Sequence, residues 1–496
     1  MLKKLVIAAI FLFFLFLIFM KSFSDFTTQE ICVIYTTDVN GNIKQYQYLA
    51  GTIKSLRESC EGDSILIDNG GFFKGRNLEL FLSKKTDILD PASRFIKEMK
   101  YNFINIDSGD FILGRNNLLN FIKTTGAKVV TLNMSGLGKE ESVVVNGVKI
   151  GVAGLVPPLE RTYLPDEFFE GIDLQNPIHK FEQKALLLKK ATDTIIAPIY
   201  SGTGESFFEY NAEESDFLLY LYRSFPFIKL LLGGRTGEVK EKKLSDDSYM
   251  IQAGKDGLFL GFARLTFIKK AKGNKNFLIS VETKLVPADI PDKEMEKVFL
   301  PYIEFIKRVE KEKAAKLSFN FSTLNKKSGE TVFERIIHYE LHQILADYGL
   351  EADFSLILLD LPEIDFPKDG EMRVEDISGI YPYDDFPAIV ALTGRAIITY
   401  LEENRGKNEK RRASIYPAEY TIENSKIIFK GIDLFPEQIY MVAVPSRILP
   451  EFEKMEPGEY KLKKIVPEKI STYLLKHFPE AFEKPFSPMW IITTKK

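Results

Sequence analysis

Asp68-Asn69-Gly70-Gly71-Phe72-Phe73-Lys74-Gly75 follows directly on the apolar run Ser64-Ile65-Leu66-Ile67. Aliphatic and β-branched residues favour a strand there, whereas Asp, Asn and paired glycines end one. The pattern recurs along the chain. Residues 32–37, 103–106, 128–132, 149–155, 194–197 and 229–232 read as further strands of the same kind. Helical periodicity lies between several of them, over 46–57, 116–124 and 216–225. Strands alternating with helices imply an α/β layered domain with a partly parallel sheet. In such domains, sites form on the loops that follow the carboxyl ends of the strands.

The chain has 496 residues, too many for one ordinary domain. Residues 291–315 read as one long charged helix, with Pro291 at its start and a run of Lys and Glu; it is expected to connect two domains. A second α/β unit follows, with a helix over 330–346, a strand over 354–359 and a further segment over 388–401. The expected organisation is therefore an export segment over 1–24, a domain over 25–290, a linker helix over 291–316 and a second domain over 317–496.

Lys3 and Lys4 precede an unbroken apolar stretch over residues 5–20, and Ser22-Phe23-Ser24 offers a cleavage pattern. That stretch is shorter than the roughly 20 residues of a membrane span. A cleaved signal peptide and an uncleaved anchor are both open, and either places the rest of the protein in the periplasm or outside the cell. Cys32 and Cys60 are the only cysteines, so a disulfide and two buried thiols are both open. A net charge of −3 excludes an electrostatic footprint for nucleic acid. The basic run over 407–412 is interrupted by Asn and Glu and reads as a solvated loop. Four histidines, His179, His338, His342 and His477, bound any chemistry that needs imidazole.

Taken in order, the post-strand loops are Tyr35-Thr36-Thr37-Asp38-Val39-Asn40-Gly41, the Asp68 loop, Asp107-Ser108-Gly109-Asp110-Phe111, Ala197-Pro198-Ile199-Tyr200-Ser201-Gly202 and Gly233-Gly234-Arg235-Thr236-Gly237. This series resembles the calcineurin-like metallophosphoesterases, in particular the 5′-nucleotidase and 2′,3′-cyclic-nucleotide phosphodiesterase branch. The corresponding motifs there are D-x-H-G, D-A-G-D-x-F-x-G, G-N-H-E-F, S-H-x-G and G-G-H-T-H. Flanking stretches agree: residues 146–158, 253–261, 353–372, Tyr381-Pro382-Tyr383 and 390–401 look like the family's segments at those places. The resemblance covers roughly residues 31–450 in the correct order. It implies a four-layer α-β-β-α metallophosphoesterase-like domain, a connecting helix and a smaller α/β 5′-nucleotidase-type C-terminal domain.

The family's reaction uses two divalent metals roughly 3.5–4 Å apart. Carried over residue by residue, Asp38 keeps the first aspartate. Asn40 stands for a ligand histidine, Gly71 for the bridging aspartate, Ser108 for a ligand asparagine and Gly109 for the histidine that supports the transition state. Tyr200, Arg235 and Gly237 replace the three remaining histidines. Losing even one outer-shell partner costs about 10–100-fold in metal affinity or activity, so the resemblance points to a degenerate member with no catalytic residues and no cofactor expected. Arg235 carries a permanent charge where a metal would bind; its guanidinium either faces solvent or pairs with Asp38 or Asp68. An oxygen-ligated Mg²⁺ or Ca²⁺ at Asp38, Asp107 and Asp110 is open beside the reading of these residues as caps and turn formers.

His338 and His342 share a helix face with Glu340 between them, but not at zincin spacing, and are expected to form a surface pair. In the C-terminal domain, Tyr383 keeps the aromatic of the family's F-P-F motif, Leu358 matches its asparagine, Glu363 its arginine and Arg447 its second aromatic. Tyr383 opposed by Arg447 could stack a planar ligand, and Tyr383 as a half-buried packing residue is open beside it. The resulting expectation is an exported non-catalytic binding or scaffold protein. Its small-molecule or protein ligand is expected at the interdomain cleft, with no nucleic-acid polymer as partner and membrane contact only through residues 1–24. The alternative is an active metal-dependent phosphoesterase of the 5′-nucleotidase type with a rebuilt site, in which case a divalent metal is the cofactor.

Overall fold

The computed structural model describes residues 28–483, apart from 85–87, 140, 158–162, 203–216, 270–274, 317–320, 323–331, 361–364, 367–369, 405–410, 417–418, 424–425, 431–433 and 456–457. The N-terminal apolar segment, the basic run over 407–410 and Glu363 lie outside the described residues. Among the described residues no helix is long and apolar enough to cross a membrane. By contacts the chain divides into two compact units, one of residues 1–159 with 171–303 and one of residues 160–170 with 304–496.

In the first unit, strands β1 (Thr28–Thr36), β2 (Asp63–Asp68), β3 (Phe103–Ile104) and β4 (Lys128–Val129) run parallel. Next come β5 (Glu141–Val145), β6 (Val148–Val152), β7 (Thr194–Pro198), β8 (Ile228–Gly233), β9 (Val239–Ser245), β10 (Ser248–Ala253), β11 (Phe259–Ile268) and β12 (Phe277–Pro287). They form two six-stranded sheets, in the orders β12-β11-β1-β2-β3-β4 and β9-β10-β8-β7-β6-β5. In the first, antiparallel strands flank the parallel strands on one side only; in the second, a parallel centre has an antiparallel strand at each edge.

Period-2 alternation explains the layering. Ile31, Val33 and Tyr35 of β1 pack between the sheets against Ile196, Leu230 and Ile251. Cys32 and Ile34 face the other way, and both faces of β1 are buried, as expected for a central strand covered by a sheet and by helices. The Tyr35 hydroxyl crosses the sandwich to Gly233 O (3.2 Å) and Ile251 O (2.9 Å). On the outer face of the second sheet, Phe181, Ala185 and Leu188 of the helix Pro177–Ala191 join Leu218 and Leu221 of the helix Phe217–Ser224. Outside the first sheet, Leu49, Ala50 and Ile53 of the helix Tyr46–Glu58 are buried. These are the four layers expected from the sequence. A Cys32–Cys60 disulfide ties β1 to the end of that helix across 28 residues, a closure that the loop-entropy model values at about 3.5 kcal/mol.

The expected connecting helix is shorter than its sequence pattern. It spans Lys293–Glu310, capped by Asp292 Oδ1, which accepts from Glu294 N and Met295 N. Lys313–Lys316 is instead a strand paired with Glu371–Arg373, because Ala315 enters the second unit's core.

The second unit is built on β13 (Phe354–Asp360), β14 (Pro387–Thr393), β15 (Arg411–Tyr416), β16 (Ile439–Pro445) and β17 (Tyr460–Ile465), in the order β15-β13-β16-β14-β17. Phe333, Ile337, Leu341 and Ile344 of the helix Val332–Asp347 pack on Ile357, Ile389 and Ala443 of that sheet. The imidazoles on this helix are not the surface pair expected from their spacing. His338 is fully buried, its two ring nitrogens against Ser355 Oγ and Ser414 Oγ, both at 2.8 Å, and His342 Nε2 lies 3.1 Å from Ser355 Oγ. The helix face that carries them looks at β13 and β15, so sheet hydroxyls replace water. Burial, with His342 beside it, holds His338 well below the usual imidazole range.

Candidate functional site

Parallel strands end on one side of the sheets, so the loops after β1, β2, β3, β7 and β8 converge. Backbone bonds run from Asp38 N to Gly70 O and from Asn40 N to Gly71 O, both 2.9 Å. Beneath them Asn69 donates to Ile199 O (3.1 Å) and Leu232 O (2.9 Å), and Asn105 donates to Asn69 Oδ1 (3.1 Å). These buried amides span the two sheets and hold the loops in register. Four of the six non-glycine residues with positive φ among the described residues lie here: Asp38 (49°), Asn40 (54°), Arg235 (75°) and Asp256 (59°). Backbone strain of this kind concentrates at functional sites.

Asp38 is 4% exposed and saturated with partners. Its Oδ1 accepts from the Tyr200 hydroxyl at 2.5 Å, and its Oδ2 accepts from Thr37 Oγ1 (2.9 Å) and the Arg235 backbone N–H (2.7 Å). Lys74 brings in the cation. Its Nζ donates to Tyr200 Oη at 2.6 Å and lies 3.6 Å from Asp38 Oδ1 and 3.8 Å from Asp107 Oδ2. A Cβ added at Gly71 would stand 2.9 Å from Asp38 Oδ1 and 3.0 Å from both Lys74 Cε and Tyr200 Oη. The space that a carboxylate at this position would need is taken by the ammonium and the phenol.

The other positions singled out from the sequence are engaged in the scaffold. Asn40 turns to Asp256, donating to its Oδ1 at 2.9 Å. Asp107 and Asp110 form a capping box on the short helix Ser108–Leu113: Asp107 Oδ1 accepts from Gly109 N, and Asp110 Oδ2 from Asp107 N (3.1 Å). Asp110 also accepts from Gly71 N (3.3 Å) and Phe73 N (3.0 Å). Ser108 is buried, and Gly237 sits at φ +72° against the Lys255 side chain. Burial lifts Asp68 well above the usual carboxylate range, against the bonds it accepts from Thr36 and Gly70, and lifts Asp110 to about 6 against the pull of Lys74. The four histidines all lie on helices elsewhere, in Pro177–Ala191, Val332–Asp347 and Ile470–Glu483.

Lys74 escaped the sequence reading although it stands within the Asp68 loop. Its signal was available: a lysine three residues beyond the glycine that replaces the bridging carboxylate. Arg235, from which the compensating charge was sought, meets Asp38 through its backbone N–H.

In the second unit, Tyr383 and Arg447 come together, but no slot opens between them. The guanidinium carbon lies 3.7 Å from the Tyr383 ring centroid, which is direct stacking contact. Arg447 Nε is 3.0 Å from Asp385 Oδ2, its NH2 donates to Leu358 O, and Tyr381 donates to Asp385 Oδ1 at 2.9 Å. Ser446 and Phe386 lock the two loops by reciprocal bonds of 2.7 and 3.1 Å. Leu358 is buried apolar core. Burial raises Asp385 to about 6, with Arg447 acting in the opposite sense. Tyr383 thus packs against the Arg447 guanidinium.

No family model matches the chain. Among curated proteins, Trifunctional nucleotide phosphoesterase protein YfkN of Bacillus subtilis (strain 168) is 24% identical over 208 residues, a match spanning 35% of this chain and 14% of that protein. Solved structures align over nearly the whole chain. A candidate 5′-nucleotidase from Staphylococcus aureus superposes with a TM-score of 0.71 at 16% identity, covering 91% of this chain and 96% of its own. A 5′-nucleotidase precursor from Thermus thermophilus gives 0.58 at 16% identity, and Haemophilus influenzae NAD nucleotidase gives 0.58 at 10%; each covers 92% of this chain and 97% of its own. The chain therefore has the two-domain 5′-nucleotidase fold, a metallophosphoesterase-type domain followed by a 5′-nucleotidase-type C-terminal domain. The two divalent metals that this fold implies do not fit the described residues of these loops. Among the described residues no three His, Cys, Asp or Glu side chains are grouped to hold a metal ion, and an ammonium stands among the carboxylates that remain.

Proposed function

We propose that this chain keeps the 5′-nucleotidase scaffold as an exported, non-catalytic binding or scaffold protein. The carrying observation is the Lys74–Tyr200–Asp38 cluster, which fills the volume beside Gly71 and engages Asp38 Oδ1, while Thr37 and the Arg235 N–H engage Oδ2. A dinuclear centre needs carboxylate and imidazole ligands around an open volume, and this cluster offers a positive charge and a phenol. Export is supported by the Cys32–Cys60 disulfide, which persists in an oxidising compartment, together with the basic and apolar pattern at the N-terminus. With its metal positions closed, the chain acts through its surface, on a small molecule or a protein partner.

The test is hydrolysis of nucleotides and of a generic phosphomonoester with added Mn²⁺, Zn²⁺ or Mg²⁺. No metal-dependent turnover is expected. Turnover that is metal-dependent and abolished by Asp38→Ala would overturn the proposal in favour of an active phosphoesterase with a rebuilt site.

A further inference from the structure

We propose that Lys74 is the resident cation of the N-terminal site, a charge supplied by the chain that takes over the electrostatic task of a metal ion. This inference rests on the non-catalytic reading above.

Asp38 and Asp107 are 4% and 0% exposed, and a buried carboxylate is costly unless a cation or hydrogen-bond donors are set against it. Lys74 Nζ sits between them, 3.6 and 3.8 Å away, and spends a third interaction on Tyr200 Oη. The groups set against it come from three converging loops: Asp38 after β1, Asp107 and Asp110 after β3, and Tyr200 after β7. Burial raises Asp110 against the pull of Lys74, and the same ammonium lies beside the carboxylates of Asp38 and Asp107. A compact ammonium suits a place shaped for a spherical ion, and its flexible stem lets it enter from a neighbouring loop. Gly70 and Gly71, at φ +97° and +71°, turn that loop, and the following Gly75 has no room for a side chain, since a Cβ there would lie 2.1 Å from Asn40 O. The backbone thus returns Lys74 over the residues that lost their metal.

The experiment is a double-mutant cycle on the full chain with Lys74→Met, Asp38→Asn and both, following thermal midpoints at neutral pH. If Lys74 acts by charge, its removal leaves a buried carboxylate without the cation set beside it, and the Lys74→Met midpoint should drop by about 5–10 °C. The double variant should lose several degrees less than the sum of the single losses. Additive single effects would overturn the inference, leaving Lys74 as packing alone. If Lys74→Met does not fold, adding Asp38→Asn should restore folding, and failure to do so would also overturn it. Tight Mn²⁺ binding by the wild-type chain in calorimetry would instead sink the non-catalytic reading, so the two failures are distinguishable.

Discussion

Two regions of this molecule each set a cation of the chain itself against buried acidic groups, and they use different residues. In the N-terminal unit Lys74 stands beside Asp38 and Asp107; in the C-terminal unit the Arg447 guanidinium carbon lies 3.7 Å from the centre of the Tyr383 ring and its Nε beside Asp385. The difference follows the shape of the two cations. An ammonium is a compact point charge, whereas a guanidinium is a plane with a fork of donors that can stack and bind a carboxylate together. Lys74 shares its charge between two carboxylates at 3.6 and 3.8 Å, while Arg447 is fastened to one, Asp385, at 3.0 Å and to a backbone carbonyl. The first is a balance of charge among loops, and the second is a packed, directional contact.

The comparison breaks most readily at Arg447. Arg447→Ala is expected to cost about 4 kcal/mol at pH 8, because it takes the nearer cation from the buried Asp385 and leaves only the weaker pull of Lys469. Asp385 already titrates near 6 and will titrate higher without Arg447. The stability tied to its protonated form is present at low pH and lost as pH rises, so denaturation at pH 5 should show a clearly smaller cost. Equal costs at both pH values would reduce Arg447 to packing. Arg447→Lys, which keeps charge but not the plane, is expected to fall between wild type and Ala.

Gly71→Asp comes next, at about 3 kcal/mol, because it sets a buried carboxylate at φ +71° against Lys74, Tyr200 and Asp38. Denaturant unfolding measures it; a neutral outcome would show that the cluster yields easily.

A smaller effect separates the two units by pH. His338→Gln should cost about 1–2 kcal/mol at neutral pH through its two serine bonds. His338 is held neutral by burial, with a folded pKa depressed below the unfolded value. Wild-type stability therefore falls as pH drops below about 6.5, where only the unfolded chain takes up the proton. The variant lacks that penalty, so the gap between the two chains should narrow between pH 7 and pH 5. A gap that widens would contradict the buried, neutral assignment.

The smallest effect is expected from Asn40→His, which restores one ligand type. It should cost no more than about 1 kcal/mol, from the lost bond to Asp256. Calorimetry should show no gain in Mn²⁺ affinity, since Lys74 still stands beside Asp38.

The alternation of strands and helices, the order of the post-strand loops and the ligand types missing from them were all legible in the sequence. Side-chain chemistry is local: a glycine cannot ligate a metal wherever it sits, and seven strands announced themselves by residue type and by what ended them. Tertiary structure decided which residues took over. Tyr200 meets Asp38 across 162 positions of sequence and meets Lys74 across 126, and Arg447 reaches Leu358 across 89. The same holds for His338, whose spacing reads as a surface pair until β13 and β15 close over it. Residue identity determines what a loop can no longer do; the reach and direction of side chains from other loops determine what fills the space instead.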